Sequence, residues 1–215
     1  MPFSLPFIFD EYLGNMTNTF DFTKNYCLEN DCVLLRPLTL EDVENLQIYA
    51  ENEPEIWTYS LMQITGITDL QQYIRVALAE KTKEKEYPFI VFDKKQQKYA
   101  GSTRFYDIQL ANKSLQLGYT WYGKAFQGTG LNKHCKFLLL SFAFEEMGME
   151  RVEFRADNNN AKSIAAMKSI GCTVEGILRQ NVPTPNGGRR DSIVLSILKT
   201  EWENGVKERL KEKLR

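Results

Sequence analysis

A glycine-rich hexapeptide separates a strand-like segment from an amphipathic helical pattern. It consists of Gln127, Gly128, Thr129, Gly130, Leu131 and Asn132. Glycines allow successive backbone N–H groups to turn toward one anion, and the unpaired amides at the start of the next helix add to the same positive end. The hexapeptide therefore predicts a phosphate-binding loop. The alternative is a tight turn, which a short Gly-x-Gly pattern alone would favour.

Two better-known phosphate motifs do not fit this region. Residues 118–125 nearly match a Walker A loop, but Ala125 stands where a Ser or Thr hydroxyl would hold magnesium. Lys133 stands where the third glycine of a dinucleotide-binding fingerprint is required. A nucleotide-dependent enzyme is therefore a weak alternative, which tight binding of ATP would support.

The segments on both sides of the loop have the periodicity that such a site needs. Residues 115–121 alternate apolar and polar, which predicts a half-buried strand. From Leu131 the apolar residues recur at helical spacing up to Gly148, with Lys133, His134 and Lys136 on other faces.

The remaining elements alternate in type, which predicts an α/β (α+β) fold. Strands are predicted at residues 32–36, 89–92, 99–106 and 151–156, and a terminal hairpin at 173–178 and 192–198. Helices are predicted at residues 40–50, 70–85 and from 161 to about 171. The three strands between residues 89 and 121 should form an antiparallel meander.

Composition limits the classes of function. The chain has 215 residues, is 43% hydrophobic and 26% charged, and carries a formal net charge of −1. This balance predicts no nucleic-acid partner, and no apolar run reaches membrane-spanning length. Residues 1–10 are apolar without a basic start, so we expect a cytoplasmic protein in which this segment packs on the surface. Cysteine spacing and a single histidine, His134, predict reduced thiols and no metal.

The order of elements and motifs resembles the GCN5-related N-acetyltransferases (GNAT), and most closely the branch of the ribosomal-protein N-terminal acetyltransferases. The resemblance rests on residues 117–121, the glycine loop, Asn160-x-x-Ser163, Ile170-Gly-Cys and residues 175–179. It implies a largely antiparallel mixed sheet flanked by helices. It also implies an acetyltransferase domain at 32–200, which leaves an N-terminal extension at 1–31. Residues 201–215 are charged with apolar residues at helical spacing, which predicts a helical tail.

The resemblance names the phosphate ligand as acetyl-coenzyme A. Residues Gln127 to Asn132 would hold the pyrophosphate, and a splayed gap between the strands at 115–121 and 151–156 would admit the pantetheine arm. A backbone N–H near Tyr119, Thr120 or Trp121 would polarise the thioester carbonyl. Asn160 and Ser163 would face the departing sulfur, although helix capping is an equal alternative for both. Asn132 departs from the small residue usual at the end of such loops.

The sequence defines the acceptor and the general base less closely than it defines the cofactor site. The position of the glutamate proposed as base in the related branch is Val182, and the substitutes are Glu153, Asp157 and Glu175, unless the amine arrives partly neutral. The expected acceptor is a primary amine of a small molecule or a protein N-terminus. Residues to consider near it are Trp57, Tyr59, Arg179, Arg189 and Arg190, of which Trp57 and Tyr59 could instead pack the domain and Arg189 to Asp191 could form a surface ion pair. A catalytically weak acyl-coenzyme A-binding or regulatory protein is the alternative function, and a homodimer is an expectation.

Overall fold

The fold is built on one eight-stranded sheet. The computed structural model describes residues 20–214, and the sheet order is β1-β2-β3-β4-β5-β6-β8-β7. The strands are β1 Leu28–Glu29, β2 Val33–Pro37, β3 Tyr87–Asp93, β4 Lys98–Gln109, β5 Ser114–Tyr122, β6 Arg151–Asp157, β7 Thr173–Pro183 and β8 Arg189–Leu198. The helices are α1 Val43–Asn52, α2 Ile67–Thr82, α3 Leu131–Ser141, α4 Ala161–Ser169, α5 Lys199–Glu201 and α6 Lys207–Glu212.

Every neighbouring pair of strands is antiparallel except β5 and β6, which are parallel. The predicted meander and terminal hairpin are confirmed, and the mixed, mostly antiparallel sheet is the fold that the sequence predicted. The sequence analysis did not predict β1, and α2 begins about one turn earlier than expected.

The helices divide between the two faces of the sheet. Successive side chains on a strand point to opposite faces, and β5 shows this division directly. Thr120 accepts a hydrogen bond from α3, Trp121 packs against Tyr49 of α1, and Tyr122 donates to Asn132 of α3. Helices α1 and α2 therefore cover one face, and α3 covers the other.

A β-bulge interrupts β5 in its second half. Ser102 of β4 pairs with Trp121, whereas Arg104 pairs with Gly118, so Thr103 alone faces Tyr119 and Thr120. Tyr119 has a φ of 49°, which is uncommon for a residue with a side chain. A bulge leaves the extra residue outside the regular ladder. The strand predicted at residues 115–121 is confirmed, but its apolar alternation did not indicate the bulge.

β5 and β6 separate soon after they meet. Their pairing covers only Ser114 to Gln116 against Arg151 to Glu153. From Leu117 and Phe154 onward the two strands continue without pairing to each other, and β6 pairs with β8 on its other side. We call this space, between Leu117–Tyr122 and Phe154–Asp157, the β5–β6 cleft.

The ends of the described chain join the same core. Phe20 and Phe22 are buried, as are Trp202, Val206 and Leu210 around α6. The prediction for residues 1–10 lies outside the described residues, and the division into domain and extensions stays a prediction. Within residues 20–214 no helix combines the length and apolar character needed to cross a membrane.

Candidate active site

The glycine loop adopts a backbone that favours glycine. Gly128 and Gly130 have φ values of 78° and 93°, and Gly130 is the N-cap of α3 without any capping side chain. A Cβ at either position would meet no atom within 4 Å. In the described part of the chain, the N–H groups of Gly128, Thr129 and Gly130 have no hydrogen-bond acceptor. The loop thus offers free amides beside the positive end of a helix, as an anion site requires.

Side chains of the loop fix its shape. Gln127 donates from Nε2 to the carbonyl of Tyr122 at 2.8 Å, and its Oε1 accepts a hydrogen bond from Lys162 of α4. Thr129 Oγ1 donates to the carbonyl of Phe126 at 2.8 Å. These contacts connect the loop to the end of β5 and to α4, and they leave the backbone of the loop to face a ligand. Sequence reasoning did not identify Lys162.

Asn132 is turned toward the sheet. Its Oδ1 accepts a hydrogen bond of 3.3 Å from the hydroxyl of Tyr122, a buried side chain whose pKa is raised by burial. The first turn of α3 is thereby attached to the last residue of β5.

Two helix N-termini meet at the mouth of the cleft. Because β5 and β6 are parallel, their carboxyl ends lie at the same edge of the sheet, and each end leads into a helix: β5 into α3 and β6 into α4. Asn160 is the N-cap of α4, and its Oδ1 accepts the Ser163 N–H at 3.0 Å. The capping role of Asn160 is therefore real, and Ser163 is half-buried one turn into the helix. The contact from Lys162 to Gln127 spans the mouth.

Comparison with known proteins agrees with this geometry. A family model described as an acetyltransferase (GNAT) domain matches residues 33–173. The chain belongs to the GNAT acetyltransferase family. It is therefore an acetyl-coenzyme A-dependent N-acyltransferase.

Individual proteins that are similar to this chain are also named as acetyltransferases. One is "Putative ribosomal N-acetyltransferase YdaF" of Bacillus subtilis strain 168, which is 34% identical over 103 residues, 48% of this chain and 55% of that protein. Another is "Probable N-acetyltransferase YjcK" of the same organism, 28% identical over 182 residues, 82% of this chain and 99% of that protein. A solved structure of a "putative acetyltransferase" from T. thermophilus superposes with a TM-score of 0.79 at 31% identity, covering 88% of this chain and 97% of that one.

An arginine and two tyrosines support the bulge on the α1–α2 face. The guanidinium of Arg104 lies 3.9 Å from the ring centre of Tyr119 and 4.7 Å from that of Tyr73. Arg104 is 2% exposed; its Nη1 donates to Glu86 at 2.5 Å, and its Nη2 has no partner within the described residues. The hydroxyl of Tyr73 donates to the carbonyl of Tyr119 at 3.4 Å. Sequence reasoning missed Arg104 and Glu86, because only their folded positions bring them together.

A lysine supports the bulge on the α3 face. The helical pattern placed Lys136 away from the core, and that prediction was wrong, because Lys136 is 5% exposed. Its Nζ donates to Thr120 Oγ1 at 2.7 Å and to Thr103 Oγ1 at 3.4 Å, so the two threonine hydroxyls give the ammonium polar partners inside the protein.

The carboxylates considered as bases have partners. Glu175 accepts from both terminal nitrogens of Arg151 and from Ser196, and the hydrogen bonds from Arg151 lower its pKa. Glu153 accepts from Arg151 and Arg155. Asp157 Oδ1 accepts the backbone N–H of Asn159 at 2.8 Å. The hydrogen bonds from Arg151 favour the charged form of Glu175 and make it a weak base.

The residues expected near the acceptor lie in different environments. Trp57 is 2% exposed and packs against Trp121 with ring centres 4.8 Å apart, whereas Tyr59 and Arg179 are exposed. The surface ion pair considered for Arg189 to Asp191 is wrong. Within residues 20–214 these side chains make no salt bridge; Arg189 instead donates to the carbonyl of Gln180, and Asp191 accepts the Gln180 N–H.

All four cysteines are free, and burial raises the pKa of both Cys135 and Cys172 to about 12. Among the described residues, no group of three or more metal-ligating side chains could hold a metal ion.

Proposed function

We propose that this protein transfers the acetyl group of acetyl-coenzyme A directly to a primary amine, either of a small molecule or of a protein N-terminus. The observation that carries the proposal is the β5–β6 cleft with two helix N-termini and free loop amides at its mouth. A diphosphate fits the amides, and an extended arm fits between strands that no longer pair. The four free cysteines support a cytoplasmic location.

Each part of the site then has a separate role in the reaction. Backbone N–H groups from Gln127 to Asn132 would receive the pyrophosphate. The bulge from Tyr119 to Trp121 would offer a backbone N–H to the acetyl carbonyl, where negative charge develops as nitrogen attacks carbon. The new N–C bond forms as the C–S bond breaks, and the hydroxyl of Ser163 would donate to the departing sulfur.

Deprotonation of the amine needs no strong base in this proposal. Each carboxylate considered as a base already accepts a hydrogen bond, in the cases of Glu153 and Glu175 from arginine side chains. An amine that arrives neutral supplies its own lone pair and loses its proton to water after attack. The rate should then follow the ionisation of the amine.

Gly130→Ala tests the cofactor site, with Gly187→Ala as a matched control. Both glycines have a left-handed φ, 93° and 83°, and an added Cβ meets no atom within 4 Å at either place. The two substitutions should therefore cost similar stability, about 1 kcal/mol. Only Gly130→Ala should weaken binding of coenzyme A, by about tenfold or more, because its methyl group occupies the anion site. Isothermal titration measures this, and equal affinities for the two variants would contradict the proposed site.

The catalytic step needs its own assay. Release of free thiol from acetyl-coenzyme A, measured across a panel of amines and N-terminal peptides, should rise with at least one acceptor. Each carboxylate considered as a base already accepts a hydrogen bond, which supports the alternative function, a catalytically weak acyl-coenzyme A-binding or regulatory protein. Coenzyme A binding without acceptor-dependent thiol release would favour that alternative. A homodimer and a lack of nucleic-acid binding stay predictions.

A further inference from the structure

Lys136 carries a buried charge for which the described chain supplies no opposite charge. Its Nζ contacts Thr120 and Thr103, and within residues 20–214 no carboxylate lies within 4.0 Å of it. The other buried cation at the bulge, Arg104, does have a carboxylate, Glu86. Buried charges are usually paired because removing them from water is costly.

Among the described residues, the titratable groups that interact with Lys136 are two thiols, Cys135 on its own helix and Cys172 at the end of the α4 segment. The buried carboxylate of Asp93 acts on Cys135 and forms no salt bridge with Lys136. Both thiols are neutral at pH 7, because burial raises the pKa of each to about 12. Thr103 of β4 and Thr120 of β5 are uncharged. No opposite charge among the described residues therefore pairs with the ammonium, and burial lowers the pKa of Lys136 itself to about 8.

One hydroxyl group separates this ammonium from the bulge. Thr120 is one of the two residues of β5 that face Thr103 of β4 at the bulge. The hydroxyls of Thr120 and Thr103 lie 2.7 Å apart. Both hydroxyls also contact the carbonyl of Gly118, at 3.4 and 3.3 Å. Lys136 thus binds the side chain that follows Tyr119 and, through the hydroxyl pair, the carbonyl that precedes it.

We propose that Lys136 is a positioning residue for acetyl transfer, which holds the bulge through Thr120 and stabilises the negative charge that develops beside it. The inference rests on the proposed function. A positive charge that has no opposite charge beside it is most useful where a negative charge forms only during the reaction. The proposal also accounts for a buried ammonium that forms no salt bridge within residues 20–214.

Lys136→Met is the main test, because it fills the same space without charge. We expect kcat to fall about tenfold or more while the KM for acetyl-coenzyme A stays within about twofold. The melting temperature should not fall and should rise if the protein relaxes around the thioether. A structural lysine would give the opposite pattern, with a lower melting temperature and an unchanged kcat in the folded fraction.

The pH dependence of kcat separates the effect of the charge of Lys136 from the effect of its shape. In the wild type, kcat should decline above about pH 8 as Lys136 loses its proton. This decline should be absent in Lys136→Met, and also in Lys136→Arg, which stays charged and should recover part of kcat. Thr120→Val keeps the ammonium and the β-branched shape but removes the acceptor hydroxyl, so it should lower kcat if the effect passes through Thr120. Thr120→Val therefore still tests the proposal if Lys136→Arg does not fold.

The outcomes are distinguishable. If Lys136→Met retains the wild-type kcat and the wild-type decline above pH 8, this inference is overturned while the proposed function stands. If the wild type binds coenzyme A but releases no thiol with any amine, both proposals are overturned together.

Discussion

Loss of the carboxylate at Glu86 should strongly destabilise the protein. Glu86 is the only carboxylate among the described residues that forms a salt bridge with Arg104, with Nη1 to Oε2 at 2.5 Å and side-chain exposures of 2% and 12%. Glu86→Gln keeps the size of the side chain and removes its charge. Arg104 is then left as a buried cation held between two tyrosine rings, with Nη2 already without a partner.

The expected cost follows from that burial. Breaking a buried ion pair by removing one member costs about 3 kcal/mol or more, because the remaining charge is uncompensated. For a protein of this size each kcal/mol lowers the melting temperature by about 2–4 °C, so the fall should be roughly 6–12 °C. Glu29→Gln is the matched control. Its partner is Lys94 at 2.7 Å, but the side chains are 59% and 29% exposed, and such a pair contributes about 1 kcal/mol at most.

Urea unfolding of Glu86→Gln, of Arg104→Met and of the double variant measures the coupling energy between the two side chains, and Glu29→Gln is unfolded in parallel as the control. The double variant should be less destabilised than Glu86→Gln alone, since no charge remains to be buried. A cost below about 1 kcal/mol for Glu86→Gln, equal to that of the surface control, would refute the argument. Because Arg104 stacks on Tyr119, kcat should also fall in the folded Glu86→Gln protein.

Three further predictions concern ionisation and the leaving group. Wild-type stability should rise by up to about 3 kcal/mol between pH 8 and pH 10.5, because the pKa of Lys136 is lowered from 10.5 to about 8 and the unfolded chain binds the extra proton; urea titrations should show no such rise in Lys136→Met. The hydrogen bonds from Arg151 lower the pKa of Glu175, so its stabilising effect is present above the unfolded pKa and is lost as pH falls through the lowered folded value. Glu175→Gln should remove that acid sensitivity in thermal melts and leave kcat at neutral pH unchanged, whereas a large loss of kcat would identify Glu175 as the base. Ser163→Ala should lower kcat with unchanged melting temperature, and full turnover would exclude its hydroxyl as the proton donor.

The sequence predicted the parts of the site that local patterns encode. The glycines at 128 and 130 require a left-handed backbone, and Asn160 is a good helix cap wherever it occurs, so both were visible without a structure. The splayed strands followed from the family resemblance, and the pairing of β5 with β6 over only three residue pairs agrees with it.

The rest depends on contacts between residues that are distant in sequence. Lys136 lies directly between Cys135 and Phe137 in an amphipathic pattern, and lysine is almost never fully buried without a partner, so an outward position was the reasonable prediction. Its burial depends on hydroxyls from Thr103 and Thr120, which the pairing of β4 with β5 brings together. The bulge itself adds one residue to a strand, and an apolar alternation of that length does not record the addition.

The two cations at the bulge have different electrostatic consequences. On the α1–α2 face, Arg104 is balanced by Glu86, so the pair fixes Tyr119 and adds little net potential. On the α3 face, Lys136 has no such balance among the described residues, and it lies on the helix that also starts at the anion-binding loop. In the proposed reaction the donor's pyrophosphate is anionic and its sulfur gains charge as it leaves. A positive charge at Lys136 would stabilise that developing charge. Of the two cations, only Lys136 should lose its charge when the pH is raised above about 8.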